Sequence, residues 1–340
     1  MRDVAERAGV GTITVSRALR NPDSVSPALR KRIYEAMREL NYIPNSIAGI
    51  LSSSRSNAVV IIVPSIAEST FADTIQGITD VLDKHGMHIL LGTSRYSLDI
   101  EEDLLRLMLS WRPAGAFITG TEHSPATSEM FRRMGTPVVE FWDISDKPID
   151  MSVGFSHFQI GEEITHHLVE QGARRIAFVR GNYESGDRAG TREKGYRKAL
   201  QDRGIDFALT LAPAQGPIGI AGGAEAMRRI LRDHPEVDAV VFGSDYPAAG
   251  ALFECQRQGI SVPGQIKLAG IGDYDIASQL YPSLTTVQMP RYEVGKRAAN
   301  LMMERISGAD VTGSVVVLDT PLIVRESTGA GSLAPVIPAG

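Results

Sequence analysis

The first twenty residues, MRDVAERAGVGTITVSRALR, constrain this chain more than any other stretch. Ala5, Gly9, Val10, Val15 and Ala18 fall at the offsets of a helix-turn-helix. A small Ala5 lets two helices cross closely, and Gly9 takes a turn angle that Cβ-bearing residues resist. Val4, Ala8, Val10, Val15 and Ala18 then face one core. That leaves Thr12, Thr14, Ser16 and Arg17 of the second helix pointing outward, as suits a helix lying in a DNA major groove. Ser26 followed by Pro27 marks an N-cap and first turn. Leu29, Ile33, Met37 and Leu40 give the third helix, Pro27 to Leu40, an apolar stripe that closes a three-helix head. Two short helices joined at a glycine also occur in ordinary cores, but the basic third helix favours the DNA-reading alternative.

Charge is divided along the chain. Residues 1–56 carry nine Lys and Arg against five Asp and Glu, whereas the rest carries 26 against 35, within an overall net charge of −5. A basic head on an acidic body confines phosphate contacts to the head. The 340 residues suffice for two or three domains with sizeable cores. Apolar runs such as 58–64 and 237–242 are far too short to span a bilayer, and no signal-like segment opens the chain, so a cytosolic protein without membrane contact is expected. The single Cys255 cannot form an internal disulfide and reads as a buried structural thiol.

The pattern predicts an α/β body behind the head. After a linker at 45–57 holding one short hinge helix, Ser46 to Leu51, apolar β-branched runs alternate with helical segments: AVVIIV, HILLGT, AGAFITG and PVVEFWD, then afresh RIAFVRG, DAVVFGSD and IKLAGIGD. Strands so apolar on both faces belong in parallel sheets covered by helices, giving two doubly wound lobes. The expected divisions are a head at 1–44, a first lobe at 58–154 plus 284–314, a second at 155–283 plus 315–328, and a disordered tail at 329–340. SVVVLDTPLIVRES reads as one strand. Chain crossings between lobes make a hinge with a ligand cleft, and ligands in open α/β sheets bind beyond the carboxyl ends of strands.

The runs RDVAERAGVGTITVSRALRNPDSVSPALRKRI, NYIPNSIAGIL, QGARRIAFVRG, SLTTVQMP and LIVRES, in that order, resemble the lactose-repressor and galactose-repressor family of transcription factors over residues 2–328. The resemblance implies a repressor with a helix-turn-helix head and a body like periplasmic binding proteins, acting as a homodimer on palindromic double-stranded operator DNA. LSWRPAGAFITG, PVVEFWDISDKPIDMSVGF and GALFECQRQGISVP are most similar to gluconate-utilisation repressors, which implies a small sugar-acid effector such as gluconate. Thr12, Ile13 and Arg17 match the family's base-reading positions. The Arg17 fork suits guanine, with a phosphate contact as its alternative, while Thr14 and Ser16 suit phosphates. Leu51 matches the minor-groove wedge, and Ile47 would pack against its symmetry mate. Gly49 stands where many relatives have arginine, which makes the hinge helix more dependent on DNA.

Residues near strand ends, all but one of them polar, match the family's effector positions: Ser65, Asp143, Phe155, Arg188, Arg192, Ser244, Asp245 and Asp273. Carboxylates accept hydrogen bonds from sugar hydroxyls, and an arginine clamps a carboxylate. Asp245 could equally cap the following helix, and Asp273 could serve structure. Dimer contacts are expected from the helix at 71–85 and from Leu280 to Leu284. No enzyme constellation stands out: adjacent His166 and His167 face different sides of a helix, GPIGIAGG lacks the residues of a phosphate loop, and no cofactor or metal is implied. A sugar-binding transport receptor would fit the body alone, yet leaves residues 1–57 unexplained.

Overall fold

The computed structural model describes residues 1–20, 22–42, 56–66, 69–180, 188–212 and 219–329. Its head consists of α1 (Arg2–Ala8), α2 (Thr12–Arg20) and α3 (Pro27–Glu39). Gly9 ends α1 at φ 61°, and the next N–H, of Val10, returns to the Ala5 carbonyl at 2.9 Å, so the sharp turn closes with the helix end satisfied. Val4, Ala5, Ala8, Val15, Ala18, Ile33 and Ala36 are buried together, while Val10, Leu29 and Met37 pack at the margin. Ser26 caps α3 by accepting from the Leu29 N–H, with Pro27 behind it. The expected stripe stops short, because α3 ends at Glu39 and Leu40 is 43% exposed.

The body builds one topology twice. Its first sheet contains β1 (Ala58–Val63), β2 (His88–Thr93), β3 (Gly115–Thr119), β4 (Val138–Trp142), β5 (Met151–Gly154) and β11 (Val315–Val317), in the order β2-β1-β3-β4-β5-β11, all parallel. The second contains β6 (Ile176–Val179), β7 (Leu209–Leu211), β8 (Ala239–Phe242), β9 (Lys267–Gly272), β10 (Thr285–Gln288) and β12 (Leu322–Ile323), in the order β7-β6-β8-β9-β10-β12. Only β12 there runs antiparallel, against β10. Ile61 of β1 pairs with Leu91 and Phe117 on either side; Ile61 and Phe117 are fully buried because helices cover both faces, whereas Leu91 on the edge strand β2 is 41% exposed. Strand order reverses between β1 and β3 and again between β6 and β8, the positions where a doubly wound sheet opens a crevice at its carboxyl edge.

The covering helices are α4 (Ala72–Leu82), α5 (Leu98–Leu109), α6 (Pro125–Met134) and α12 (Arg291–Ile306) for the first lobe, and α7 (His157–Glu170), α8 (Arg188–Asp202), α9 (Ile220–Asp233), α10 (Asp245–Gln258) and the short α11 (Asp275–Gln279) for the second. Three helix pairs touch through reciprocal glycines. A Cβ on Gly77 or Gly295 would strike the backbone across the α4–α12 crossing, at 2.3 Å from the Tyr292 oxygen and 2.0 Å from the Thr74 oxygen. Gly161 with Gly195 and Gly223 with Gly250 do the same for α7–α8 and α9–α10.

Two lobe boundaries differ from expectation. Thr285–Gln288 hydrogen-bonds to β9, so the chain stays in the second lobe past residue 284 and crosses only after it. The run at 314–327 is two strands, with β11 on β5 of the first lobe and β12 on β10 of the second, so the last crossing falls at 318–321 rather than 315. Strand β5 was not foreseen. Leu280 and Leu284 lie in the second lobe's core and cannot supply the dimer surface expected of them, whereas Tyr281 between them is 82% exposed. The three crossing segments are laterally joined: the Leu318 N–H donates to the Gly154 oxygen at 2.8 Å, and the Gln288 N–H to the Pro321 oxygen at 2.9 Å. Cys255 is fully buried, and burial pushes its thiol up to about 12, as befits a structural role. No helix among the described residues is long and apolar enough to cross a membrane.

Candidate ligand cleft and nucleic-acid interface

A cavity of about 290 Å³ opens between the lobes at the carboxyl edge of the first sheet. Pro64 follows β1, Ser94 follows β2, Gly120 follows β3 and Asp143 follows β4, and all four line it together with Glu101 from the first turn of α5. From the second lobe, Arg188, Thr191 and Lys194 on α8 close it. The first-lobe wall is therefore acidic, with Glu101, Glu122 and Asp143, and the second-lobe wall basic, with Arg188 and Lys194. The volume lies at the small end for small-molecule sites, which run to about 300–1,000 Å³. The two walls thus offer hydrogen-bond acceptors on one side and cationic groups on the other.

Asp143 is the polar hub. Its Oδ2 lies 3.6 Å from Arg188 Nη1 and its Oδ1 lies 3.3 Å from His157 Nε2. Burial pushes the carboxyl up, against the opposing pull of Arg188, Arg192 and His123. His157 is held well below the ordinary histidine range, by burial first and then by the charges of Arg192 and Arg188, so it is neutral. Arg192 Nη1 sits 3.0 Å from His157 Nδ1, which on a neutral ring is then the accepting nitrogen. Phe155 is 1% exposed and supports this layer from below, between Trp142 at 5.5 Å and the His157 ring at 4.9 Å, while the Arg188 guanidinium lies 5.8 Å above Phe71.

The remaining expected ligand residues are placed differently. Asp245 is fully buried, and its oxygens accept from the Tyr274 N–H at 2.8 Å and the Thr286 hydroxyl at 2.6 Å, so it ties β9 and β10 to α10 and does not line the cavity. Asp273 pairs with Arg325 at 2.7 Å and accepts from Gln288 at 3.0 Å, a structural role as well. Ser244 occupies the N-cap position of α10 without a side-chain capping bond. Ser65 is half-buried beside Pro64. Lys194, Thr191, Glu101 and Tyr96 line the cavity without having been singled out. Lys194 follows Arg192 by two residues in an Arg-rich helix, so its charge was visible but its side was not.

A second set of contacts joins the lobes elsewhere. The Tyr274 hydroxyl meets Thr70 Oγ1 at 3.0 Å, and the Arg291 guanidinium lies 4.3 Å over the Tyr274 ring while pairing with Asp73 at 2.9 Å and donating to the Gly272 carbonyl. Among the described residues the set within metal-ligating reach is Glu162, His166 and Asp202, and Lys198 already holds the Asp202 carboxylate at 2.5 and 2.6 Å. His167 is buried against Thr328 Oγ1 at 2.9 Å, next to its half-buried neighbour His166.

In the head, α2 turns Val15 and Ala18 inward and leaves Thr12, Ile13 and Arg17 exposed. Ile13 is 75% exposed, a large apolar side chain held in water on a face whose neighbours are a hydroxyl and a guanidinium. Thr14 and Ser16 are half-buried on its flanks. Ile47 and Leu51 lie outside the described residues, as do the hinge helix and the tail beyond 329.

Comparison with known proteins agrees with this arrangement. Residues 1–45 match the family of bacterial regulatory proteins, lacI family, and residues 165–328 match the periplasmic binding protein-like domain. The chain is 36% identical to the HTH-type transcriptional regulator GntR of Escherichia coli (strain K12), over 94% of this chain and 95% of that protein. A crystal structure of a LacI-family transcriptional regulator from Silicibacter pomeroyi superposes with a TM-score of 0.90 at 36% identity, covering 96% of this chain and 98% of that one. The lac repressor dimer bound to operator and the anti-inducer ONPF superposes at 0.81, with 26% identity over 96% and 98% of the two chains. With a helix-turn-helix head, two periplasmic-binding-like lobes and these relatives over nearly its whole length, the chain belongs to the lacI family of DNA-binding transcriptional regulators.

Proposed function

We propose that this regulator is a cytoplasmic repressor that binds a palindromic operator as a homodimer and releases it when a small sugar acid, gluconate or a close relative, enters the cleft. The observation that carries the ligand class is the polarity of the cavity, with carboxylates on the first-lobe wall facing Arg188 and Lys194 on the second. An anion clamps to the cations while hydroxyls donate to the carboxylates. The likeness to GntR regulators supports the same class, and the operator-bound lac repressor dimer supports the mode of assembly. Arg17, Thr12 and Ile13 read base edges, Thr14 and Ser16 hold phosphates, and Leu51 wedges the minor groove with Ile47 against its mate.

Titration calorimetry with gluconate, its lactone and a neutral hexose, paired with operator retardation in each ligand, tests this reading. Gluconate is expected to bind best and to release the operator, and Arg188→Ala to weaken gluconate at least tenfold while leaving hexose binding unchanged. Preference for the neutral hexose would overturn the sugar-acid assignment, and tighter operator binding in gluconate would make the ligand a corepressor.

A further inference from the structure

Beneath the cavity, three titratable side chains are packed away from water, and the ring at their centre has an acceptor on each side. His123 lies in the loop between β3 and α6. Its Nδ1 is 2.7 Å from Glu101 Oε1 on α5, and its Nε2 is 3.1 Å from the Gly120 carbonyl, with Glu140 Oε1 on β4 3.7 Å from the same nitrogen. The side chains of His123, Glu101 and Glu140 are 2%, 6% and 3% exposed. The second oxygen of Glu140 accepts from the Ile149 N–H at 2.6 Å. Glu101 and Gly120 also line the cavity, so the cluster is its floor.

A neutral imidazole carries one N–H and can donate to only one of two acceptors. Here a carboxylate stands at one ring nitrogen and a carbonyl at the other, so the bonds are satisfied only when the cluster holds an extra proton.

We propose that His123 stands as an imidazolium between Glu101 and Glu140 and is a positioning residue for the ligand cavity, fixing the Glu101 carboxylate and the Gly120 carbonyl as acceptors for ligand hydroxyls and linking the binding of an anionic ligand to proton uptake. The extra proton follows from the hydrogen-bond geometry and its place on the ring is the proposal; the ligand rests on the sugar-acid reading above. Burial would push His123 down, but the hydrogen bond and charge of Glu101, then the charge of Glu140, outweigh it and hold the ring above the ordinary histidine value. Glu140 is pushed up to about 7, chiefly by burial. The charged groups facing the ring are Glu101 from α5, Glu140 from β4 and Asp143 just beyond it, while Glu102 is turned to Ser124 Oγ at 2.7 Å and Arg188 and Lys194 stand across the cavity. A ligand carboxylate adds negative charge to this set and favours its proton-bound form, so binding tightens as pH falls through neutrality.

Nitrogen-15 spectra of the histidine rings in the full chain without ligand, from pH 6 to 9, test the first half. One ring, assigned by its loss in His123→Gln, is expected to keep both nitrogens protonated above pH 7.5, and a neutral tautomer at pH 7 would overturn the proposal. Glu140→Gln retains an acceptor for the Ile149 N–H and removes one negative neighbour. It is expected to move the ring's titration to lower pH, and an unmoved midpoint would remove Glu140 from the device. For the second half, gluconate is titrated at pH 8 in two buffers of different ionisation enthalpy. Wild type should take up a fraction of a proton, with affinity falling by up to about tenfold per pH unit above pH 7, the limit for one linked proton. His123→Gln keeps N–H donors but cannot titrate, so uptake and pH slope should shrink to the share of Glu140 and vanish in the His123→Gln/Glu140→Gln double variant, and an unchanged slope in His123→Gln would reduce His123 to a packing residue. Absence of any gluconate binding in wild type would sink the sugar-acid reading and the linkage with it, while the ring spectra still decide the imidazolium.

Discussion

A guanidinium on an exposed helix face can grip guanine O6 and N7 together, which a point charge cannot. Arg17 is so placed, and Arg17→Ala is expected to lose about 1–3 kcal/mol on the cognate operator and less on random DNA, measured by competitive retardation at fixed salt. A uniform loss across sequences would make it a phosphate contact. Asp245 illustrates the opposite case, a polar residue wholly given to the fold. Burial pushes its carboxyl up to about 6. The folded state then binds a proton that the unfolded chain releases near pH 4, so the contribution of this group to stability falls as pH rises from about 4 to about 6 and is level beyond. Asp245→Asn should flatten that slope, which denaturant melts at pH 4.5 and 7 would reveal. Asp143 and Arg188 were legible in the sequence because each is polar next to an apolar strand or at a helix start. His123 and Glu101 were not, since a loop histidine and a glutamate on an amphipathic helix look solvated until the fold brings the loop, α5 and β4 together.

At the scale of elements, glycine sets the distance between helices. In an open helix Gly→Ala gains about 1 kcal/mol. At Gly161 the new Cβ would meet the Arg192 carbonyl at 1.9 Å, so the sign reverses and Gly161→Ala is expected to destabilise by about 1–3 kcal/mol. Because Arg188 and Lys194 ride on α8, the same change should weaken gluconate binding, a joint effect that urea melts and calorimetry on one sample would detect. An unaltered affinity would mean that α8 yields at its far end only. Element type was readable along most of the body, as AVVIIV and DAVVFGSD became buried strands. Sheet membership was not. Thr285–Gln288 and Val315–Val317 are equally strand-like in composition, and which lobe each joins depends on a partner outside its own segment, the preceding strand β9 for one and the distant β5 for the other.

For the whole molecule, ligand and operator act on one equilibrium, and linkage makes their effects equal in both directions. If gluconate weakens operator binding by a given factor, saturating operator must weaken gluconate binding by the same factor, typically about 5–150-fold for such couplings. Calorimetry with and without operator duplex checks this, and a gluconate affinity that operator leaves unmoved would mean that gluconate does not act on operator binding. The three chain crossings between lobes give that equilibrium its mechanics. Segments near residues 154, 289 and 320 are stitched side by side by the Leu318–Gly154 and Gln288–Pro321 backbone bonds. A ribbon fastened along its width folds readily about one line and resists torsion, as a door on several aligned pins swings but does not slew. Ligand position in the cleft is thereby converted into a single angle, and every effector that closes the body drives it along the same arc.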